Sequence, residues 1–142
     1  MPNRADPKRI IALAEECLDV RFLHQGRSLR GMDCAGVLQH ILHGMGLPYL
    51  DNKGYPGRPF DGQLEKILLA EPSLVPIKKH ELSAGDVIVA RIKRAPQHLL
   101  ICTGSTVIHS YKDTGRVVQQ RLIRWQSNIT HVFRIISNEG QP

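Results

Sequence analysis

The sequence has few aromatic residues, few cysteines and no long apolar run. Only 5% of its 142 residues are aromatic, although the hydrophobic share of 42% is ordinary for a globular chain. No apolar run approaches the roughly 20 residues that a membrane-spanning helix needs. The three cysteines have no short spacing between them, which argues against a disulfide framework. The ordinary hydrophobic share and the lack of a long apolar run thus give no sign of a disordered chain or of a membrane protein.

The length and the N-terminal segment bear on organisation and on the place of synthesis. A chain of 142 residues is long enough to bury a core of its own, and we expect a single domain over residues 1–142. The short apolar segment at residues 10–14 is followed at once by Glu15 and Glu16, which is not the pattern of a signal peptide. The sequence therefore predicts synthesis in the cytoplasm and initial retention there.

The charge of the chain leaves two interpretations open. The formal net charge of +6 favours nucleic acid or an acidic cell-wall polymer, or it serves solubility alone. The basic residues of the predicted strands are not interleaved with aromatic residues, and no recognisable nucleic-acid-binding module is present. We therefore expect neither nucleic acid nor a membrane as a partner.

The clearest helical pattern in the chain begins at Cys34. From there, apolar residues recur at positions 34, 37, 38, 41, 42 and 45, which is the stripe of an amphipathic helix. Asp33 occupies the N-cap position, and Gly44 and Gly46 predict the end of the helix. The unpaired N–H groups and the macrodipole of a helix start favour a thiolate. Cys34 is therefore a candidate nucleophile, although a small core residue would fit the same pattern.

The remaining pattern places helices before strands. Asp6-Pro7 predicts the start of a helix that continues to about Val20, and Asp61 predicts the cap of a short helix over residues 63–71. Residues 21–32 and the Gly/Pro-rich residues 47–59 have no clear period and are expected to be loops. Short turns separate predicted strands at residues 87–92, 97–103, 106–111, 116–122 and 131–136. This order indicates an antiparallel meander and the α+β class, with N-terminal helices packed on a C-terminal antiparallel β-sheet.

Two histidines fall on one face of the hairpin that the second and third predicted strands form. If Gly104-Ser105 is a two-residue turn, the alternation of side chains puts His98 and His109 on the same face, as diagonal neighbours. Moving the turn back by one residue would pair them directly, whereas a three-residue loop would put them on opposite faces. A helix-start cysteine with two histidines on one sheet face is a candidate Cys-His-His catalytic set.

Four motifs, in this order along the chain, resemble those of a known family. The chain is similar to the NlpC cell-wall cysteine peptidases in Gly31-Met32-Asp33-Cys34-Ala35-Gly36, Gly85-Asp86-Val87, His98-Leu99-Leu100-Ile101-Cys102-Thr103-Gly104 and Val107-Ile108-His109. The resemblance covers residues 8–111 and implies a papain-like cysteine peptidase fold. It also implies hydrolysis of an amide bond in the peptidoglycan stem peptide, typically the bond after γ-D-glutamate. Residues 22–28 resemble the compact, single-domain branch found in phage tails and gene-transfer agents.

The resemblance also implies a role for each residue of the site. Cys34 would attack the carbonyl carbon, and His98 would form a thiolate pair with it and later protonate the leaving amine. His109 would orient His98 through its second ring nitrogen, and the backbone N–H of Cys34 would help to hold the oxyanion. Asp33 would be a structural and substrate-side residue. No cofactor and no metal are implied.

Two positions depart from the family pattern. The tyrosine that family members carry twelve residues before the cysteine is Phe22 here, so its hydroxyl is missing, and His24 or Tyr49 are candidates to replace that donor. The serine that usually follows the cysteine is Ala35, which puts the usual recognition of the stem peptide in question. The candidate substrate-binding residues are therefore Asp33, His24, Phe22 and Tyr49.

Several functions remain open on the sequence alone. The leading one is a cell-wall cysteine peptidase, a monomer in isolation, that is incorporated into a phage or phage-like tail and has the stem peptide and other tail proteins as partners. A catalytically idle tail-assembly protein and an acyltransferase of the same fold are alternatives. A small basic or metal-binding module is another, in which Cys34, Cys102, His98 and His109 would hold structural zinc.

Overall fold

Helices precede an antiparallel sheet in the chain. The computed structural model describes residues 2–50, 63–92 and 95–138. Its α-helices are α1 (Pro7–Glu15), α2 (Cys34–Met45) and α3 (Gln63–Ala70). Its strands are β1 (Pro2–Arg4), β2 (Arg27–Ser28), β3 (Gly31–Met32), β4 (Leu74–Ile77), β5 (Val87–Ile92), β6 (Ala95–Cys102), β7 (Thr106–Tyr111), β8 (Arg116–Arg121) and β9 (Ile129–Asn138). The predicted α+β class is confirmed.

The strands β5 to β8 form the predicted meander, but the last strand does not extend it. Within the described residues the main sheet has the order β1-β9-β5-β6-β7-β8, and β4 also pairs with β9. All of these pairs are antiparallel. β9 therefore returns to the far side of β5, where it buries Phe133 and Ile135 in the main core. Turn lengths carry no information about such a long-range pairing.

Helix α1 ends earlier than its apolar pattern predicts. Asp6 caps it as expected, because its side chain accepts a backbone hydrogen bond from the first turn at 3.0 Å. The helix stops at Glu15 rather than near Val20. Asp19 then adopts a left-handed φ of 69°, and the backbones of Asp19 and Val20 hydrogen-bond to Val117 of β8. The chain leaves the helix because these residues pair with the edge of the sheet instead.

Helix α2 turns the predicted apolar stripe into the core. Four of its side chains are at most 2% exposed: Val37, Leu38, Ile41 and Leu42. Burying each of them contributes about 1.5–3 kcal/mol of hydrophobic stabilisation. The helix ends at Gly46, whose left-handed φ of 70° suits glycine. Gly44, a predicted end signal, lies inside α2 instead, where Leu13 packs closely on it.

The turn between β6 and β7 has the two-residue length that puts His98 and His109 on the same face. The Thr103 N–H donates to the Thr106 carbonyl oxygen at 2.9 Å, so Gly104-Ser105 is a two-residue turn. Ile101 pairs with Ile108 in the ladder. This is the register that places the two histidines on one face.

A buried ion pair fixes the start of β5. Asp86 is fully buried, and its carboxylate accepts hydrogen bonds from Nε and Nη2 of Arg134 on β9, each at 3.0 Å. The backbone N–H of Ser83 donates to the same carboxylate at 2.8 Å. The Gly85-Asp86 motif thus joins the turn before β5 to β9, which is a structural role.

Some predictions fall outside the described residues. Helix α3 agrees with the predicted short helix, but its Asp61 cap, most of the Gly/Pro-rich loop and the turn at residues 93–94 are not described. None of the helices within residues 2–50, 63–92 and 95–138 combines the length and the apolar character needed to cross a bilayer.

Candidate active site

His98 and His109 meet on the face of the sheet opposite to α2. Their neighbours Leu99 and Ile108 pack into the main core with α2, and side chains alternate between faces along each strand. His98 Nε2 lies 2.5 Å from His109 Nδ1. The two side chains are 5% and 0% exposed. The structure therefore brings the two predicted histidines together as a buried, hydrogen-bonded pair.

An aromatic cluster encloses this pair. Trp125 stacks on His98 with ring centroids 5.6 Å apart and an interplanar angle of 28°, and the Tyr111 ring lies 5.2 Å from His98. Burial lowers the pKa of His98 well below its usual value, and the neighbouring His109 lowers it further. Burial also lowers the pKa of His109 to about 4, although its hydrogen bond to Gln120 acts in the opposite direction. Both imidazoles are therefore neutral at neutral pH.

Leu99 and Ser110, the residues that follow the two histidines, hydrogen-bond to the segment from Met32 to Cys34, here called the cysteine segment. Leu99 of β6 donates its backbone N–H to the Cys34 sulfur. Ser110 of β7 is fully buried and donates its hydroxyl to the Met32 carbonyl oxygen at 2.7 Å. In the described residues, the β6–β7 ladder consists of two pairs near the turn and does not extend to the histidines. The chain leading into α2 is thus attached to both histidine strands.

Burial of Cys34 opposes the thiolate that the helix start alone favours. Burial raises the pKa of Cys34 from 9.0 to about 12, and the Asp33 carboxylate adds to this rise. Backbone hydrogen bonds from Leu99 and Ala35 lower the pKa, as does Arg27, but these causes are smaller. The effect of the helix start is likewise outweighed by the cost of desolvating a thiolate. The site thus combines a thiol whose pKa is raised with two imidazoles whose pKa values are lowered, and the thiolate pair of Cys34 and His98 stays a prediction.

Asp33 anchors the loop that precedes the cysteine. Its Oδ1 accepts hydrogen bonds from the Gly36 N–H and from Arg27 Nη1, both at 2.9 Å. Its Oδ2 accepts from the Gln25 N–H at 2.9 Å. A Cβ on Gly36 would overlap the Gly26 carbonyl oxygen, so a glycine is needed where the loop packs on the first turn of α2. These contacts are structural, and the substrate-side role of Asp33 stays a prediction.

The other candidate substrate-binding residues lie at opposite ends of α2. Phe22 is half-buried, and its backbone bridges to β3, which leads directly into Cys34. His24 is exposed in the turn that follows. The Tyr49 hydroxyl instead bonds to His43 at 3.3 Å, in the last turn of this 12-residue helix, about 14 Å from its first residue. The structure therefore places Phe22 and His24 on the cysteine side, and it does not bring Tyr49 there.

Gln120 and Trp125 complete the cluster and are not predicted from the sequence. Gln120 Oε1 lies 2.8 Å from His109 Nε2 and 2.9 Å from the Trp125 indole nitrogen. The alternation of side chains would have predicted Gln120. Val118 of β8 pairs with His109, and Gln120, two residues later, lies on the same face of the strand as Val118. No such pattern marks Trp125, which lies in an irregular segment after β8.

The four residues of the zinc alternative all lie within the described part of the chain. Among the described residues, no group of three or more His, Cys, Asp or Glu side chains is placed to hold a metal ion. Cys102, one of the four ligands of the zinc alternative, donates its thiol to the Gly104 carbonyl oxygen at 3.6 Å instead.

Solved structures of other proteins share this architecture. An NlpC/P60 family protein from Bacillus cereus matches with a TM-score of 0.66 and 17% identity, over 91% of this chain and 40% of that one. The peptidoglycan hydrolase RipB from Mycobacterium tuberculosis matches with a TM-score of 0.67 and 19% identity, over 93% and 65% respectively. The NlpC/p60 domain of the peptidoglycan hydrolase SagA gives 0.60 and 17%, over 92% and 98%. The chain thus spans less than two thirds of the first two proteins, and at these identities the likeness shows the fold.

A match to a family model is more specific than a similarity of fold. No curated protein sequence matches the chain. The NlpC/P60 family model matches residues 19–134, a range that contains Cys34, His98 and His109. Since this match covers most of the chain, the protein belongs to the NlpC/P60 family.

Proposed function

We propose that this protein is a cysteine peptidase that hydrolyses an amide bond in peptidoglycan stem peptides. Cys34 is the nucleophile, His98 the general base and acid, and His109 the group that orients His98. The observation that carries the proposal is the attachment of the segment before α2 to both histidine strands, beside the buried His98–His109 hydrogen bond. Family membership supports it, as does the description of two structural neighbours as peptidoglycan hydrolases.

The reaction starts from neutral groups. As the Cys34 sulfur bonds to the carbonyl carbon, its proton passes to Nδ1 of His98, the ring nitrogen that His109 does not occupy. The tetrahedral intermediate then collapses, the C–N bond breaks, and His98 returns the proton to the leaving amine. Water attacks the resulting thioester with His98 as base, which releases the acid and restores the thiol. The Cys34 backbone N–H, at the helix start, is the proposed oxyanion donor.

Substrate recognition is assigned to the loop before the cysteine. Phe22 and His24 lie on this loop, and Asp33 anchors it. Because Phe22 and Ala35 replace the tyrosine and serine typical of the family, we propose contacts to the stem peptide that differ from the usual ones. Tyr49, at the other end of α2, would contact only a more distant part of a substrate. The net charge of +6 suits an acidic polymer.

Digestion of purified peptidoglycan tests the proposal. We expect the wild type to release stem-peptide fragments that mass spectrometry identifies, and Cys34→Ala to release only the background. Cys17→Ala is the matched control, because Cys17 is buried in the core after α1. Equal release by wild type and Cys34→Ala would overturn the assignment of the nucleophile. Background release by a folded wild type would favour the idle assembly protein, and products formed only with an added amine would favour the acyltransferase.

We also propose that the protein is made in the cytoplasm, acts from a phage or phage-like tail and is a monomer in isolation. The support is the resemblance of residues 22–28 to the tail-associated branch of the family. Mass spectrometry of purified tail particles is expected to detect the chain. Particles that lack it would contradict this placement.

A further inference from the structure

The Gln120 side chain lies between two N–H donors. Its Oε1 is 2.8 Å from His109 Nε2 and 2.9 Å from the Trp125 Nε1. The indole N–H can only donate a hydrogen bond, so the amide must present its oxygen and not its NH2 group. A flipped amide would oppose donors with donors and lose both hydrogen bonds. Trp125 therefore fixes the orientation of the Gln120 amide.

This orientation determines where the protons of the two histidines lie. Because Gln120 Oε1 only accepts, His109 Nε2 must carry a proton and donate it. A neutral His109 then has an unprotonated Nδ1, which accepts a hydrogen bond from His98 Nε2 at 2.5 Å. A neutral His98 with its proton on Nε2 has an unprotonated Nδ1. That nitrogen is the one the proposed mechanism requires as a base.

The hydrogen bond between the two histidines does not by itself determine which ring nitrogens carry the protons. Either ring can donate in a His–His hydrogen bond, and the reversed arrangement would put the His98 proton on Nδ1. A reversed pair satisfies the same hydrogen bond but leaves a proton on Nδ1 of His98, which then has no lone pair to accept one. Gln120 removes this ambiguity, because its oxygen accepts a hydrogen bond from His109 Nε2 and so requires the His109 proton on that nitrogen.

We propose that Gln120, held by Trp125, is a positioning residue that fixes both histidines as Nε2–H tautomers and so keeps Nδ1 of His98 available to take the Cys34 proton. Trp125 contributes twice, since its ring also stacks on His98. The catalytic consequence rests on the proposed function, whereas the tautomers can be measured without a substrate.

Two-bond ¹H–¹⁵N spectra of histidine-labelled protein at neutral pH give the tautomers directly. In the wild type we expect His98 and His109 both protonated on Nε2. In Gln120→Leu we expect His109 to populate the Nδ1–H form, with the same change passed on to His98. Trp125→Phe keeps an aromatic ring and removes the indole N–H. We expect the same change of tautomers in this variant, which provides the test if Gln120→Leu does not fold. A wild-type His98 protonated on Nδ1 would overturn the proposal.

Kinetics provide the second measurement. Loss of the correct tautomer acts on the proton transfer, so we expect Gln120→Leu to lower kcat by on the order of tenfold to a hundredfold with little change in KM. The matched control is Gln119→Leu, an exposed neighbour whose amide donates to Thr106, and it is expected to behave as wild type. Wild-type tautomers and kcat in both Gln120→Leu and Trp125→Phe would overturn the proposal. An inactive wild type with the expected tautomers would instead reject the peptidase function and leave the role of Gln120 in place.

Discussion

The pH dependence of stability tests whether His109 is buried as a neutral ring. His109 is 0% exposed, and burial lowers its pKa from 6.5 to about 4. The unfolded chain therefore takes up a proton at this residue at a higher pH than the folded protein does. The stability that His109 contributes is fully present above pH 6.5 and is lost as the pH falls towards about 4.

The size of this effect follows from the two pKa values. Lowering the pH from 8 to 5 removes about 2 kcal/mol from the free energy of unfolding through His109 alone. The lowered pKa of His98 adds a loss of the same sign. In His109→Gln the contribution of His109 is absent, and His98 loses the part of its pKa lowering that His109 causes. The difference in stability between pH 8 and pH 5 therefore becomes smaller by at least about 2 kcal/mol. This holds whatever the substitution does to stability at pH 8.

Urea unfolding at several pH values between 8 and 5 measures the effect. The fluorescence of Trp125 is a suitable signal, because it is the only tryptophan and its ring lies against both histidines. The matched control is His80→Gln, since His80 is exposed and folding removes little water from its ring. An equal loss between pH 8 and pH 5 in wild type and His109→Gln would refute the neutral, buried pair.

The thiol and the buried ion pair give two further predictions. Iodoacetamide is expected to alkylate Cys34 slowly at pH 7 and about tenfold faster per pH unit above it, because a pKa of about 12 in place of 9.0 leaves about a thousandfold less thiolate. A rate that levels off below pH 8 would contradict the protonated thiol. Asp86→Asn is expected to lower the free energy of unfolding by about 2 kcal/mol, because the partly exposed Arg134 loses its charged hydrogen bonds to the buried carboxylate. Urea unfolding measures this loss against Asp113→Asn at an exposed position, and a loss of less than about 1 kcal/mol would count against the ion pair.

The parts of the fold that depend on local sequence were predictable. The stripe from Cys34 gave α2 with its Asp33 cap because a helix repeats every 3.6 residues and its first N–H groups need an acceptor. The hairpin register followed from a two-residue turn and from the alternation of side chains, which together brought His98 and His109 onto one face. Both predictions needed only residues close together in the chain.

The parts that depend on contacts distant in sequence were not predictable. The pairing of β9 with β5, and the ion pair of Asp86 with Arg134, join segments that no local pattern relates. Helix α1 ended early because β8 offered backbone partners to the residues after it. The burial that raises the pKa of Cys34 is likewise not visible in the sequence, since the helix start is a local feature and the burial is produced by the assembled fold.

The attachment of the cysteine segment to both histidine strands limits which insertions the site can tolerate. Each histidine is followed directly by a residue that holds the cysteine segment: Leu99 through its backbone N–H and Ser110 through its hydroxyl. A one-residue insertion before the histidine of either strand would turn that histidine to the other face of the sheet and break the His98–His109 hydrogen bond. The geometry of the site is therefore inherited with the strand register, and surface loops are able to diverge in length and sequence without moving the reacting atoms.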